Sequence, residues 1–167
     1  MVFALAFDHP GDGHIVCLNS TTLAVRFRFG RGGDNLAICG DELFVTARGK
    51  LEVFSFSGEH RREITGGFWS PSGVMHFDGR LFLWESGDED EAPEEDYAKL
   101  GKRIFVLTPQ GATLQVYDFP EGLAQLLPRY APIYEVAVVA RKLILSFDNR
   151  GNEEVLQQVP AHVLIGA

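Results

Sequence analysis

The chain has 167 residues, 46% of them hydrophobic and 11% aromatic, with two cysteines and a formal net charge of −8. That is enough apolar material for one domain, 1–167, with a core of its own, and no apolar run reaches the length of a membrane-spanning helix. The acidic balance argues against a broad nucleic-acid surface, and Cys17 and Cys39, at no metal-ligand spacing, read as small reduced hydrophobes.

From the start, the apolar MVFALAF has no basic residue and is too short for a signal peptide, so a soluble intracellular location, cytoplasmic or an organellar matrix, is expected. Phe3–Phe7 and Ile15–Leu18 read as strands. Between them, Asp8-His9-Pro10-Gly11-Asp12-Gly13-His14 holds two His and two Asp of ligand type. Pro-Gly-Asp-Gly is equally what a hairpin loop requires, and with no remote third ligand indicated the loop reading is preferred. Arg26 and Arg28 follow on an outer strand. Gly30-Arg31-Gly32-Gly33-Asp34 is glycine-rich but lacks the Gly-Lys-Ser/Thr and the helix of a phosphate loop, so it reads as a link between units.

Residues 34–67 carry the central pattern. The apolar runs Leu36–Cys39, Leu43–Thr46 and Leu51–Phe56 are separated by turn signals at Gly40-Asp41, Arg48-Gly49 and Ser57-Gly58, and Arg61–Thr65 is the expected fourth strand. Apolar groups at Leu51, Val53, Phe54 and Phe56 fall on both faces, which suits a sheet covered on both sides. The linker Gly66–Pro71 contains Trp69, one of two tryptophans; the other, Trp84, is expected to pack in the interior.

The pattern returns. Leu43–Val45 matches Leu81–Leu83 at a shift of 38, and Leu51–Gly58 matches Ile104–Gly111 at a shift of 53, so the later copy carries a 15-residue insertion between its second and third strands. Backwards, Leu51–Phe54 matches Ile15–Leu18 at a shift of 36, which gives Phe3–Phe7 the second-strand place. A last copy runs through Tyr134–Ala140, Lys142–Phe147 and Val155–Val159, after a crossing segment, Glu121–Arg129, that contains one apolar helical turn. Fixed periods of this size mark stacked units that bury their faces on one another.

Phe29-Gly30, Gly33, Leu36–Ile38, Gly40–Val45 and Leu51–Glu59 resemble the NHL-type β-propeller repeat, as do Pro71–Val74, Phe77–Leu83 and Ile104–Leu107. The resemblance covers about residues 29–120. It departs where an Asp commonly closes the second strand, since this chain has Thr46-Ala47 and Trp84-Glu85 there, and a proline expected near Asp34–Leu36 is missing. Together with the repeat pattern, the resemblance implies an all-β, propeller-like domain of about four blades. Either the C-terminal stretch around His162–Ile165 supplies the missing strand and closes a small ring, or the arc is open and is completed by a partner or by a second copy.

The insertion, 87–101, is the most individual feature. Asp88, Glu89, Asp90, Glu91, Glu94, Glu95 and Asp96 are seven of the 23 acids, and without them the body holds 16 acids against 15 bases. Pro93, the early acids, Lys99 and Gly101 suit a short helix. The seven acids, with Trp69 as an aromatic anchor, are the expected surface for a protein partner. EF-hand spacing is lacking, so calcium is poorly supported, and a solvated excursion is the plain alternative. No nucleophile–base pair or metal set is indicated, so neither catalytic residues nor a cofactor are expected. The reading is a non-catalytic scaffold or interaction module in a larger assembly. A propeller-type metal-dependent hydrolase or lactonase using Asn35, Asp41, Asp78 and Glu135 is the alternative. RNA binding through Arg26, Arg28, Arg61 and Arg62 is a lesser one.

Overall fold

Runs of four to seven β-branched and aromatic residues, closed by Gly and Asp turns, are too short for packed helices and fold as strands. The computed structural model describes residues 1–7, 13–30, 33–85, 101–118, 133–139, 142–147 and 157–160. These hold four antiparallel sheets in chain order. The first is β1 (Val2–Phe7), β2 (Gly13–Leu18) and β3 (Val25–Phe29); the second is β4 (Leu36–Cys39), β5 (Glu42–Ala47), β6 (Lys50–Ser55) and β7 (His60–Ile64). The third is β8 (Pro71–Phe77), β9 (Arg80–Glu85), β10 (Arg103–Leu107) and β11 (Thr113–Asp118); the fourth is β12 (Ile133–Val139), β13 (Lys142–Phe147) and β14 (Gln157–Pro160).

Each sheet is a meander, and the sheets stack face to face as propeller blades do. The expected repeat is present, with β7 one residue earlier than the pattern suggested and β1 in the second-strand place. The stretch around His162–Ile165, one of the two ways offered to complete the ring, lies outside the described residues, as do the helical turns expected at 93–100 and 121–129.

Period-two alternation sends successive residues of one strand into different cores. Leu43 of β5 faces Phe54 of β6 across the ladder, and both pack with Phe3, Ile15 and Cys17 of the first sheet. Their neighbours Phe44 and Val53 are paired likewise on the opposite face, where they meet Val74, Leu81, Leu83 and Phe105 of the third sheet. Phe82, Trp84, Ile104 and Val106 then turn to Ile133, Val136, Leu143 and Leu145 of the fourth. Trp84 is thus an interior wedge, as expected. Three apolar cores join four sheets, and the outer strands β3, β7 and β11 are largely exposed.

The turn into each outer strand repeats in its hydrogen bonds. The Ser55 N–H donates to Glu59 O and the Gly58 N–H to Ser55 O; in the third sheet Thr108, Ala112 and Gly111 make the same bonds. A short side chain fills the turn each time: Ser55 Oγ accepts from the Ser57 and Glu59 N–H groups, and Thr108 Oγ1 from Ala112. Asn19 Oδ1 does this in the first sheet, accepting from Thr21 and Thr22. Gly58 and Gly111 have φ of +87° and +96°, and a Cβ on either would press on the last residue of the preceding blade's outer strand: 2.7 Å from Phe29 Cγ and 2.8 Å from Ile64 Cγ2. Glycine therefore fixes both the turn and the approach of neighbouring blades.

Gly111→Ala should cost about 1–3 kcal/mol, combining left-handed strain with overpacking against Ile64. Gly79→Ala, with φ +74° and nothing within 4 Å of the new Cβ, should lose only the backbone part. Denaturant midpoints of the two variants test this, and equal losses would contradict the interblade contact.

Candidate interaction site at the root of the acidic insertion

In a four-stranded meander the incoming linker and the connection from second to third strand lie at the same end. The connections after β1, β5 and β9 therefore open from one rim, together with the linkers that lead into β4 and β8. The acidic residues Asp88, Glu89, Asp90, Glu91, Glu94, Glu95 and Asp96 belong to the connection after β9 and lie outside the described residues. Their foundation is described, because the insertion departs from Glu85 and returns through Gly101 to Arg103.

Glu85 is fully buried and Arg103 nearly so. Arg103 Nε donates to Glu85 Oε2 at 2.7 Å and Nη2 to Oε1 at 3.0 Å, while the guanidinium carbon lies 5.1 Å from the Phe105 ring centroid. The Trp69 backbone N–H donates to the same Oε1 at 2.6 Å. Two features that the sequence offered separately, the acidic insertion and Trp69, are thereby tied together at one carboxylate. Trp69 is half-buried, and its indole Nε1, like that of Trp84, is buried without a hydrogen-bond partner. On the other side, the Ile133 N–H donates to Gly101 O at 2.7 Å, so the returning chain is pinned to the fourth sheet.

In the second sheet the same duty falls to Thr46. Its Oγ1 accepts from the N–H groups of Asp34 (3.1 Å) and Asn35 (2.9 Å), anchoring the incoming linker. The second-strand ends that lack the Asp expected from the resemblance thus still supply a buried acceptor to the linker. Sequence reasoning missed this pair of anchors; the signal was a polar residue recurring at the end of an otherwise apolar second strand.

The basic residues of β7 are already engaged. Arg62 makes a bidentate pair with Glu42 (2.5 and 2.7 Å), donates to Pro109 O of the third sheet at 2.8 Å and lies over Phe44. Arg61 donates to Asp41 and Glu42. Hydrogen bonds from Arg62 foremost, then from Arg61, hold the Glu42 carboxyl below its ordinary value against the opposing effect of burial. On the first sheet, Arg28 Nη1 donates to His14 Nε2 at 3.0 Å; His9 and the rest of loop 8–12 lie outside the described residues.

The residues offered for a metal-dependent hydrolase separate. Asn35 precedes β4 and Asp41 follows it, six residues of extended chain apart, or about 20 Å. Asn35 Oδ1 accepts from the Val74 N–H, Asp41 is paired with Arg61, and Asp78 has φ +50° in the β8–β9 turn. The side chain of Glu135 is not among those described. A different set, Glu52, His60 and Glu63, brings its ligand atoms within 4.8 Å of one another on the exposed hairpin β6–β7. Lys50 Nζ already sits on both of those carboxylates, 3.1 Å from Glu52 and 2.5 Å from Glu63.

No family model and no curated protein matches this chain. Solved structures do. Hydrazine synthase of Kuenenia stuttgartiensis superposes with a TM-score of 0.59 at 16% identity, over 90% of this chain and 40% of that one. BamB from Moraxella catarrhalis gives 0.56 at 15% identity, over 91% and 41%. The WD40 β-propeller domain of Doa1 gives 0.54 at 9% identity, over 95% and 48%. At such identities the likeness is one of fold: the chain is β-propeller-like and spans about two-fifths of the length of the first two. Among the described residues no helix is long and apolar enough to cross a membrane.

Glu85→Ala should destabilise by about 3–5 kcal/mol, because it leaves the buried Arg103 guanidinium and the Trp69 N–H without an acceptor. A Glu85→Leu, Arg103→Met double variant should recover much of that loss in thermal melts. Glu42, with its folded-state value depressed, contributes stability that is complete above the ordinary glutamate range and drains as pH falls through the lowered value. Acid titration of unfolding should therefore show a shallower acid limb for Glu42→Gln than for the parent; identical limbs would remove Glu42 from the account.

Proposed function

We propose that this chain is an NHL-type propeller segment acting as a non-catalytic interaction module, a subunit that docks a basic protein partner on the rim carrying the acidic insertion and Trp69. One observation carries the reading: the Trp69 N–H and the two ends of the insertion meet at the buried Glu85–Arg103 pair. The stretch that carries the seven acids is thereby joined at both ends to a base that also holds the Trp69 backbone. Clustered acids steer a cationic partner and fix its orientation, and an adjacent aromatic supplies the contact area that charge alone lacks. The body adds little field of its own, since outside the loop acids and bases nearly balance. The arginines of β7 lie against Asp41 and Glu42, which weighs against RNA as the partner, and Asn35 and Asp41 of the hydrolase reading are engaged at opposite ends of β4.

Capture from a lysate at low ionic strength, with the protein as bait, tests the proposal. A partner rich in Lys and Arg is expected, released by moderate salt. Replacing the seven acids by Asn and Gln should reduce its retention about tenfold or more, and Trp69→Ala should weaken what remains. Retention unchanged in both variants would overturn the docking rim. Stoichiometric zinc or calcium in the purified protein, with hydrolytic turnover, would replace the interaction reading by the enzymatic one.

A further inference from the structure

The outer hairpin of the second sheet gathers three side chains of metal-ligand type. β6 sends Leu51 and Val53 to the core shared with the third sheet and Phe54 to the core shared with the first. Period-two alternation puts Lys50 and Glu52 on the Phe54 face. Across the ladder, Glu63 of β7 stands directly opposite Glu52. His60 joins them through a β-bulge: Val53 pairs with Arg62 but Phe54 pairs with His60, so Arg61 is the extra residue and His60 falls on the face of Glu63. Its ring meets that of Phe54 edge-on, with centroids 5.3 Å apart. One ligand atom from each of half-buried Glu52, exposed His60 and exposed Glu63 lies within 4.8 Å of the other two.

The fold itself does not require this set. The same bulge interrupts β2–β3 at Cys17/Leu18 and β10–β11 at Val106/Leu107, where the equivalent positions hold Val16, Arg28 and Val25, and Phe105, Val116 and Thr113. Two carboxylates directly opposite on a ladder repel each other, and the hairpin answers with a cation of its own: Lys50 Nζ lies 3.1 Å from Glu52 and 2.5 Å from Glu63. That ammonium rides on a flexible four-carbon stem and can swing aside. A first-row divalent ion can use all three groups at once, because carboxylate oxygen and imidazole nitrogen are both ligands of zinc, whereas calcium favours oxygen alone. From the register, the bulge and the cation already held there, we propose that Glu52, His60 and Glu63 form a zinc-class site with a fourth position open to water, in which the ion displaces Lys50 from the two carboxylates. Donors about 2.1 Å from a tetrahedral ion stand about 3.4 Å apart, so rotation of the side chains on a fixed backbone closes the present spacing. The bound ion ties β7 to β6. The site rests on this hairpin and not on the acidic rim, so either proposal can fail without the other.

Titration calorimetry of the untagged, chelator-treated chain with zinc chloride tests the site. One zinc per chain is expected, together with a rise in melting temperature. His60→Ala and Glu63→Gln, both at exposed positions, should each weaken that zinc by more than about tenfold, a loss that even changes behind the ligands can cause. Far-UV circular dichroism of both should match the parent. Lys50→Met should tighten zinc, because the competing ammonium is gone; a merely structural role for these side chains does not give that result. Excess calcium should leave zinc in place. A chain that takes up no stoichiometric zinc, an affinity that His60→Ala leaves unchanged, or a Lys50→Met variant that binds no tighter than the parent overturns the proposal.

Discussion

The middle blades of this protein have almost no solvent side along β5, β9 and β10. Each inner strand must satisfy two neighbours, and the apolar groups that elsewhere alternate with polar ones here alternate with other apolar groups bound for a different core. Leu43 and Phe44 are adjacent in the chain, yet one packs on the first sheet and the other on the third. The three cores are therefore coupled through shared strands, and a change in the volume of one residue is felt on two sides. The same constraint explains why the outer strands vary: β3, β7 and β11 have no second neighbour to satisfy, and arginines, glutamates and exposed valines coexist there.

Polar groups then have few places to go, and the buried carboxylate, guanidinium and hydroxyl groups of Glu85, Arg103 and Thr46 are all engaged. At the ends of the second strands, Thr46 and Glu85 take up the N–H groups of the incoming linkers, which would otherwise be buried without acceptors. At the turns into the outer strands, Asn19, Ser55 and Thr108 do so for the turn itself. Three different side chains perform one task there, because what the turn needs is an oxygen one or two bonds from Cβ, whatever its chemical name.

Strand runs, turns and the offset of the first sheet were legible in the sequence because they depend on residue type at fixed spacing: Leu51–Gly58 and Ile104–Gly111 align residue for residue, and they build the same hairpin. The insertion was legible as a break in that spacing. Relations between residues far apart in the chain could not be read. Nothing in the neighbourhood of Trp69 announces Glu85, and nothing beside Arg62 announces Pro109. The polar residues Asn35 and Asp41 illustrate the converse: both lie beside strand boundaries, and the extended chain between them keeps them apart.

The buried carboxylate–guanidinium clamp sits below the point where the 15-residue excursion leaves the blade, so the blade is closed before the excursion begins. The pair ties Glu85 to Arg103 and to the Trp69 N–H, so both ends of the excursion are fixed within the sheet. Such a socket tolerates exchange: a longer, shorter or oppositely charged segment could be grafted between the same two posts and inherit a rigid mount. The scaffold would then be a carrier whose recognition is decided by a replaceable cassette, with the ancestry of the blade and the ancestry of its loop free to diverge.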